Sequence, residues 1–115
     1  MKAILIDGDS HKIYELEMAP SHWAMEEEIG TRFWVMRRLG TAGSGVLFHA
    51  EGRSNGYETF TYRGVGYSGN GLLCRVDLYG DLESTNFTVA EVEKEVVWGP
   101  MKPPAGWPCW GDTKP

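Results

Sequence analysis

The chain has 115 residues, of which 42% are hydrophobic, 12% aromatic and 23% charged, and this balance indicates one globular domain. No apolar run approaches the roughly 18 residues that span a bilayer, and the opening residues lack the apolar stretch of a secretory signal. We therefore expect a cytoplasmic protein with no membrane partner. The net charge of −5 disfavours direct binding of long nucleic acid.

The residues that usually carry chemistry are sparse. Cys74 and Cys109 lie far apart and belong to no zinc-binding pattern, so the sequence predicts neither a disulfide scaffold nor a metal site. The histidines are His11, His22 and His49, and no nucleophile motif accompanies them. We therefore expect no metal, no cofactor and no catalytic residues.

The predicted elements begin with a hairpin and a short helix. Residues 2–6 form an apolar strand and residues 12–17 alternate in polarity, while the turn-forming residues 7–10 separate them. Residues 20–29 are followed by Gly30, which favours a helix that ends at this glycine.

The middle of the chain is rich in strand signals. Residues 33–39 and 45–50 predict a second hairpin, and residues 57–63 alternate like an exposed strand. The glycine-rich residues 64–71 predict a connection, and residues 72–79 are the best candidate for a core strand.

The last predicted helix starts from a capping box. Thr88 and Glu91 have the required spacing, so we expect a helix from about Val89 to Glu95 and a closing strand at residues 96–98. The remaining tail is rich in proline, glycine and tryptophan, which excludes a regular helix or a central strand.

Together these signals predict an α+β fold. We expect an antiparallel sheet of five or six strands with two short helices on one face. Residues 1–98 form the single domain, and residues 99–115 form a tail that either docks on the sheet or is disordered.

Arginine is confined to the middle of the chain. All six arginines lie between residues 32 and 75, where the only acids are Glu51 and Glu58, whereas the remainder has five lysines and 14 acids. Aromatic residues are interleaved with these arginines, and this mixture is typical of a pocket for a nucleotide-like anion. The alternative is that the arginines pair with the acidic flanks and the aromatics form the core.

Strand alternation selects the candidate ligand-binding residues. In residues 32–38, one strand face carries Arg32, Trp34 and Arg38, and the opposite face, with Phe33, Val35 and Arg37, is expected to build the core. The glycine-rich connection adds two more candidates, so the predicted binding set is Arg32, Trp34, Arg38, Arg63 and Tyr67. A homo-oligomer is one arrangement that completes such a cleft.

The order of several segments resembles a known family. The segments are MKAILID, an IYELE strand, IGTRFWVMRRLG, VLFHAEG, YSGNGLL, VDLYGD and TVAEVEKEVVW. They resemble the small phage and bacterial proteins that share the domain of unknown function numbered 3846, over about residues 1–98. The resemblance implies a setting in phages or mobile elements, and it supplies no activity and no catalytic residues. The tail departs from the family pattern.

These observations lead to three functional hypotheses. The first is a non-enzymatic phage-type accessory protein, in the host cytoplasm, that sequesters a small anionic nucleotide-like ligand such as a host defence signal. The second is an acidic interaction protein that inhibits a host nucleic-acid-binding or defence protein. The third is a small enzyme that processes nucleotides.

Overall fold

The computed structural model describes residues 1–40, 45–50 and 59–99. These residues form a mixed α+β fold in which all strand pairs are antiparallel, so the predicted fold class is confirmed. The elements in chain order are β1 (Lys2–Asp7), β2 (Lys12–Glu17), α1 (His22–Ile29), β3 (Trp34–Arg38), β4 (Val46–Ala50), β5 (Phe60–Tyr62), β6 (Val65–Tyr67), β7 (Gly71–Val76), β8 (Leu82–Glu83), α2 (Val89–Glu95) and β9 (Val96–Trp98).

The described strands form two sheets. The larger has six strands in the order β2-β1-β7-β4-β3, with β8 also paired to β7. The smaller has three strands in the order β6-β5-β9. Strand β3 therefore lies at one edge of the larger sheet, and β6 lies at one edge of the smaller sheet.

Both faces of the larger sheet are buried at its centre. On one face, Ala3 and Leu5 of β1 pack with Met25 of α1. On the other, Ile4 and Ile6 pack with residues of the smaller sheet and of α2. The expectation that both helices lie on one face was wrong, because the uninterrupted apolar run of β1 has to be covered from both sides.

The predicted end of the first helix at Gly30 is confirmed, and its first residue is His22 rather than Pro20. The Ser21 hydroxyl accepts a hydrogen bond from the Ala24 amide at 3.1 Å, which caps the start of α1. Gly30 has a φ of 84° and its amide donates to the Glu26 carbonyl at 2.9 Å, a left-handed ending that glycine adopts without strain.

Strand β5 is more deeply buried than predicted. Residues 57–63 were expected to form an exposed strand, but Phe60 and Tyr62 are both 0% exposed. The smaller sheet packs on the larger one, and this packing buries them. Residues 65–67, expected to be part of a connection, form β6 and pair with β5.

The predicted core strand ends earlier than expected. The Asp77 carboxylate accepts hydrogen bonds from the Tyr79 and Asp81 amides at 2.8 and 2.9 Å, and this turn ends the strand. As a result, Leu78 and Tyr79 are 94% and 90% exposed.

Most of the predicted tail lies outside the described residues, as does Cys109. Gly99 is described, and its amide donates to the Thr59 carbonyl at 3.0 Å beyond the end of β9. Neither described helix has the length and apolar character needed to cross a membrane.

Candidate functional site

A groove of about 600 Å³ lies between the edges of the two sheets. It is lined by residues 35–38 on β3, by residues 49–50 on β4 and by residues 65–68 at β6. Its volume is in the range of small-molecule sites, about 300 to 1,000 Å³.

Strand register decides which side chains face the groove. In the β3–β4 pair, Val35 is opposite His49 and Arg37 is opposite Leu47. Leu47 packs in the core beneath the smaller sheet, so Val35 and Arg37 also project to that side. Because β3 is at the sheet edge, its residues there are only partly covered, and Val35 is 41% exposed.

Tyr67 connects the groove to the core. Its ring lies 5.3 Å from that of Phe60 and 4.6 Å from that of His49, between centroids. Its hydroxyl accepts a hydrogen bond from Nη1 of Arg37. The Arg37 guanidinium is thus held in place from the opposite wall of the groove.

The groove carries positive charge in an acidic protein. Among the residues that the structure describes, its lining includes Arg37 and Arg38 and contains no aspartate or glutamate. Within residues 1–40, 45–50 and 59–99, no carboxylate lies within ion-pair distance of either arginine. By contrast, Arg63 and Arg75 each face a glutamate. Among the described residues, no carboxylate therefore competes with an anionic ligand for these two arginines.

The structure brings together two of the five predicted binding residues. Arg38 and Tyr67 both line the groove. Arg32 instead lies in a separate depression of about 500 Å³ beside Trp23 and Phe33.

Trp34 and Arg63 have structural partners elsewhere. The indole Nε1 of Trp34 donates to the Glu26 carboxylate at 2.7 Å, and the ring packs edge-on against Phe48. Arg63 donates from Nε to the Glu95 carboxylate at 2.9 Å and from Nη1 to the Leu39 carbonyl at 3.0 Å. The predicted row of Arg32, Trp34 and Arg38 is therefore corrected: the face that bears Trp34 is the one covered by α1.

Arg37 and His49 line the groove but were not among the binding residues predicted from the sequence. Alternation had placed Arg37 on the strand face that was expected to form the core. An arginine on that face could have indicated that the face is not entirely buried, because an arginine is almost never fully buried without a partner. His49 lies on the strand next to it, and its Nδ1 is 2.9 Å from the Ala50 carbonyl.

Comparisons with protein-family models, curated proteins and solved structures found no match to this chain. The resemblance to the family numbered 3846 therefore stays a prediction. In the described part of the chain, no three His, Cys, Asp or Glu side chains form a group able to hold a metal ion.

Proposed function

We propose that the protein binds a small anionic, nucleotide-like ligand in the groove between β3 and β6. The observation that carries this proposal is the pair Arg37 and Arg38, which line the groove without a carboxylate partner among the described residues. Arginine presents a planar fork of donors that fits a phosphate group.

The walls of the groove suit the remainder of such a ligand. Val35 and Val65 are 41% and 37% exposed, and they offer apolar contact to a base or a ribose. Tyr67 is only 5% exposed, so its part is to hold Arg37 rather than to stack on a base. An apolar lining with a few placed polar groups is typical of small-ligand sites.

The biological setting of this proposal comes from the sequence. The resemblance to phage and bacterial proteins supports an accessory protein in a host cell, and the absence of a catalytic motif from the sequence supports sequestration without turnover. A host defence signal is the nucleotide-like ligand that fits this setting.

A thermal-shift screen against cyclic dinucleotides, cyclic trinucleotides and ADP-ribose derivatives tests the proposal, because a ligand that binds the native state raises its stability. Titration calorimetry then measures affinity. Arg37→Ala removes a charge-assisted contact worth roughly 1.5 to 3 kcal/mol and should weaken binding about 10- to 150-fold. Arg32→Ala is the matched control, since Arg32 is exposed and lies outside the groove.

Three outcomes separate the hypotheses. Binding without chemical change of the ligand, weakened by Arg37→Ala but not by Arg32→Ala, supports sequestration. Conversion of the ligand, seen by chromatography, supports the nucleotide-processing enzyme instead. Wild-type affinity in both Arg37→Ala and Arg38→Ala, or no binding by the unmodified protein, contradicts this site.

A second candidate function is an acidic interaction protein, and one observation favours it. Leu78 and Tyr79 are presented to solvent by the turn between β7 and β8, with Asp77, Asp81 and Glu83 around them. Exposed apolar anchors within an acidic rim fit a basic partner. The test is capture of a host DNA-binding protein by this chain. Release of that protein by added DNA, together with loss of capture in Tyr79→Ser, would support this function.

A further inference from the structure

Strand β3 has one unpaired side in the described structure. The Leu39 amide donates to the Gly45 carbonyl at 3.1 Å, so Leu39 points its backbone groups toward the β4 side. In an antiparallel ladder the direction alternates along the strand, and the amides and carbonyls of Trp34, Met36 and Arg38 therefore point away from β4. Across the described ranges of the chain, none of these groups has a backbone partner.

An open edge of this kind is a template for another strand. We propose that β3 pairs with β3 of a second copy of the chain, antiparallel about a two-fold axis at Met36. In this register Trp34 is opposite Arg38 of the second copy, and Met36 is opposite its own counterpart. All outward amides and carbonyls of the three residues are then paired.

Charge complementarity favours a second copy in this register. Arg38 is exposed, and among the described residues it has no carboxylate partner. Across the two-fold axis, Arg38 lies opposite Trp34 of the second copy. The indole Nε1 of Trp34 donates a hydrogen bond to the Glu26 carboxylate. An arginine is attracted both to an aromatic ring and to a carboxylate.

Two neighbouring registers are less favourable. A two-fold axis at Arg37 or at Arg38 places each of these arginines directly opposite its own counterpart, and like charges in that position destabilise a strand pair. With the axis at Met36, Arg37 is opposite Val35 of the second copy. The arginines of the edge therefore disfavour these two registers and do not prevent pairing about Met36.

Cysteine cross-linking tests this register. With the axis at Met36, Val35 and Arg37 of the two copies are directly opposite in a non-hydrogen-bonded pair, with Cα atoms about 4.5 Å apart. A disulfide fits that distance. Val35 of one copy and Val35 of the other are offset by two positions along the strands, and so are the two copies of Arg37. Their Cα atoms are about 8 Å apart, which is too far for a disulfide.

The experiment uses the full chain with Cys109→Ser, which leaves the buried Cys74 as the background thiol. Val35→Cys and Arg37→Cys are prepared as two separate proteins. A disulfide-linked dimer should form when they are mixed and oxidised, and neither protein alone should form one. Equal cross-linking of the separate proteins, or none in the mixture, overturns the register.

Light scattering after size exclusion provides the second measurement. The unmodified chain should reach twice the mass of one chain as its concentration rises. Arg38→Pro removes an outward amide but no β3–β4 hydrogen bond, so it should weaken dimerisation about tenfold or more while the thermal midpoint of the monomer is retained. A mass that stays at one chain at every concentration overturns the proposal. Neither measurement uses a ligand, so the dimer and the proposed function fail independently.

Discussion

Arg37 on β3 donates a hydrogen bond to the hydroxyl of Tyr67 on β6, and this bond joins the edge of the larger sheet to the edge of the smaller one. The two residues are 30 positions apart in the chain. Because the guanidinium is already held when the protein folds, less side-chain entropy remains to be lost when a ligand binds. The position of Arg37 therefore depends on the smaller sheet as much as on its own strand.

Tyr67→Phe tests this dependence. The substitution keeps the ring against Phe60 and His49 but removes the acceptor that holds Arg37. We expect the affinity for a ligand found in the screen to fall roughly two- to tenfold, the equivalent of one hydrogen bond. Calorimetry measures the affinity. Tyr14→Phe on β2, far from the groove in the sheet order, is the control, and equal affinity in the two variants would contradict the role given to Tyr67.

The start of α2 offers a stability prediction. The Thr88 hydroxyl accepts from the Glu91 amide at 3.2 Å, and the Glu91 carboxylate accepts from the Thr88 amide at 2.9 Å. Thr88→Ala removes the cap and should lower the free energy of unfolding by about 1 kcal/mol. Thr88→Ser keeps a hydroxyl and should lose much less. Chemical denaturation measures both, and equal midpoints for Thr88→Ala and the unmodified chain would remove the capping assignment.

These local features were predictable because their signals are local. The hairpin turn, the Gly30 helix ending and the capping box each depend on residues a few positions apart, and all three are present in the structure. Burial of Phe60 and Tyr62 was not predictable in this way, because it depends on how the smaller sheet packs against the larger.

The candidate site was predictable in part for the same reason. Alternation correctly put Trp34 and Arg38 on one face of β3. Both faces of that strand carry an arginine and apolar residues, so the pattern does not indicate which face a helix will cover. Helix α1 covers the face of Trp34, and the groove consequently lies on the face of Arg37.

Gly8, beside the first turn, is closely packed against neighbouring residues and leaves no room for a side chain. Its amide donates to the Asn70 side chain at 3.0 Å, and a Cβ there would overlap the Gly69 carbonyl and lie 2.5 Å from the Thr59 hydroxyl. Gly8→Ala should therefore lower the free energy of unfolding by roughly 1 to 3 kcal/mol or more. Asp9→Ala, at the exposed neighbouring position, should change it by less than about 0.5 kcal/mol. Similar denaturation midpoints for the two variants would exclude this close packing.

The thiol of Cys74 is 0% exposed on β7, as predicted for a core strand, and burial raises its pKa from 9.0 to about 12. Thiolate is the reactive form, so Cys74 should react with a thiol reagent only when the protein opens. In a Cys109→Ser background, labelling at pH 8 should be slow in native protein and rapid in denaturant. Rapid labelling of the native protein would contradict the burial.

The same pKa shift predicts a loss of stability in alkali. Between pH 9 and pH 12 the unfolded chain releases the Cys74 proton while the native protein retains it, so deprotonation favours the unfolded state. Stability should be insensitive to this thiol below pH 9 and should fall as the pH rises above it. Tyr62, whose pKa burial raises to about 12, adds a loss of the same sign from pH 10. Cys74→Ala should keep the contribution of Tyr62 and lose that of the thiol. Its denaturation midpoint should therefore fall less steeply between pH 9 and pH 10 than that of the unmodified chain. If the midpoints of the two proteins fall equally steeply with pH, Cys74 ionises normally in the fold.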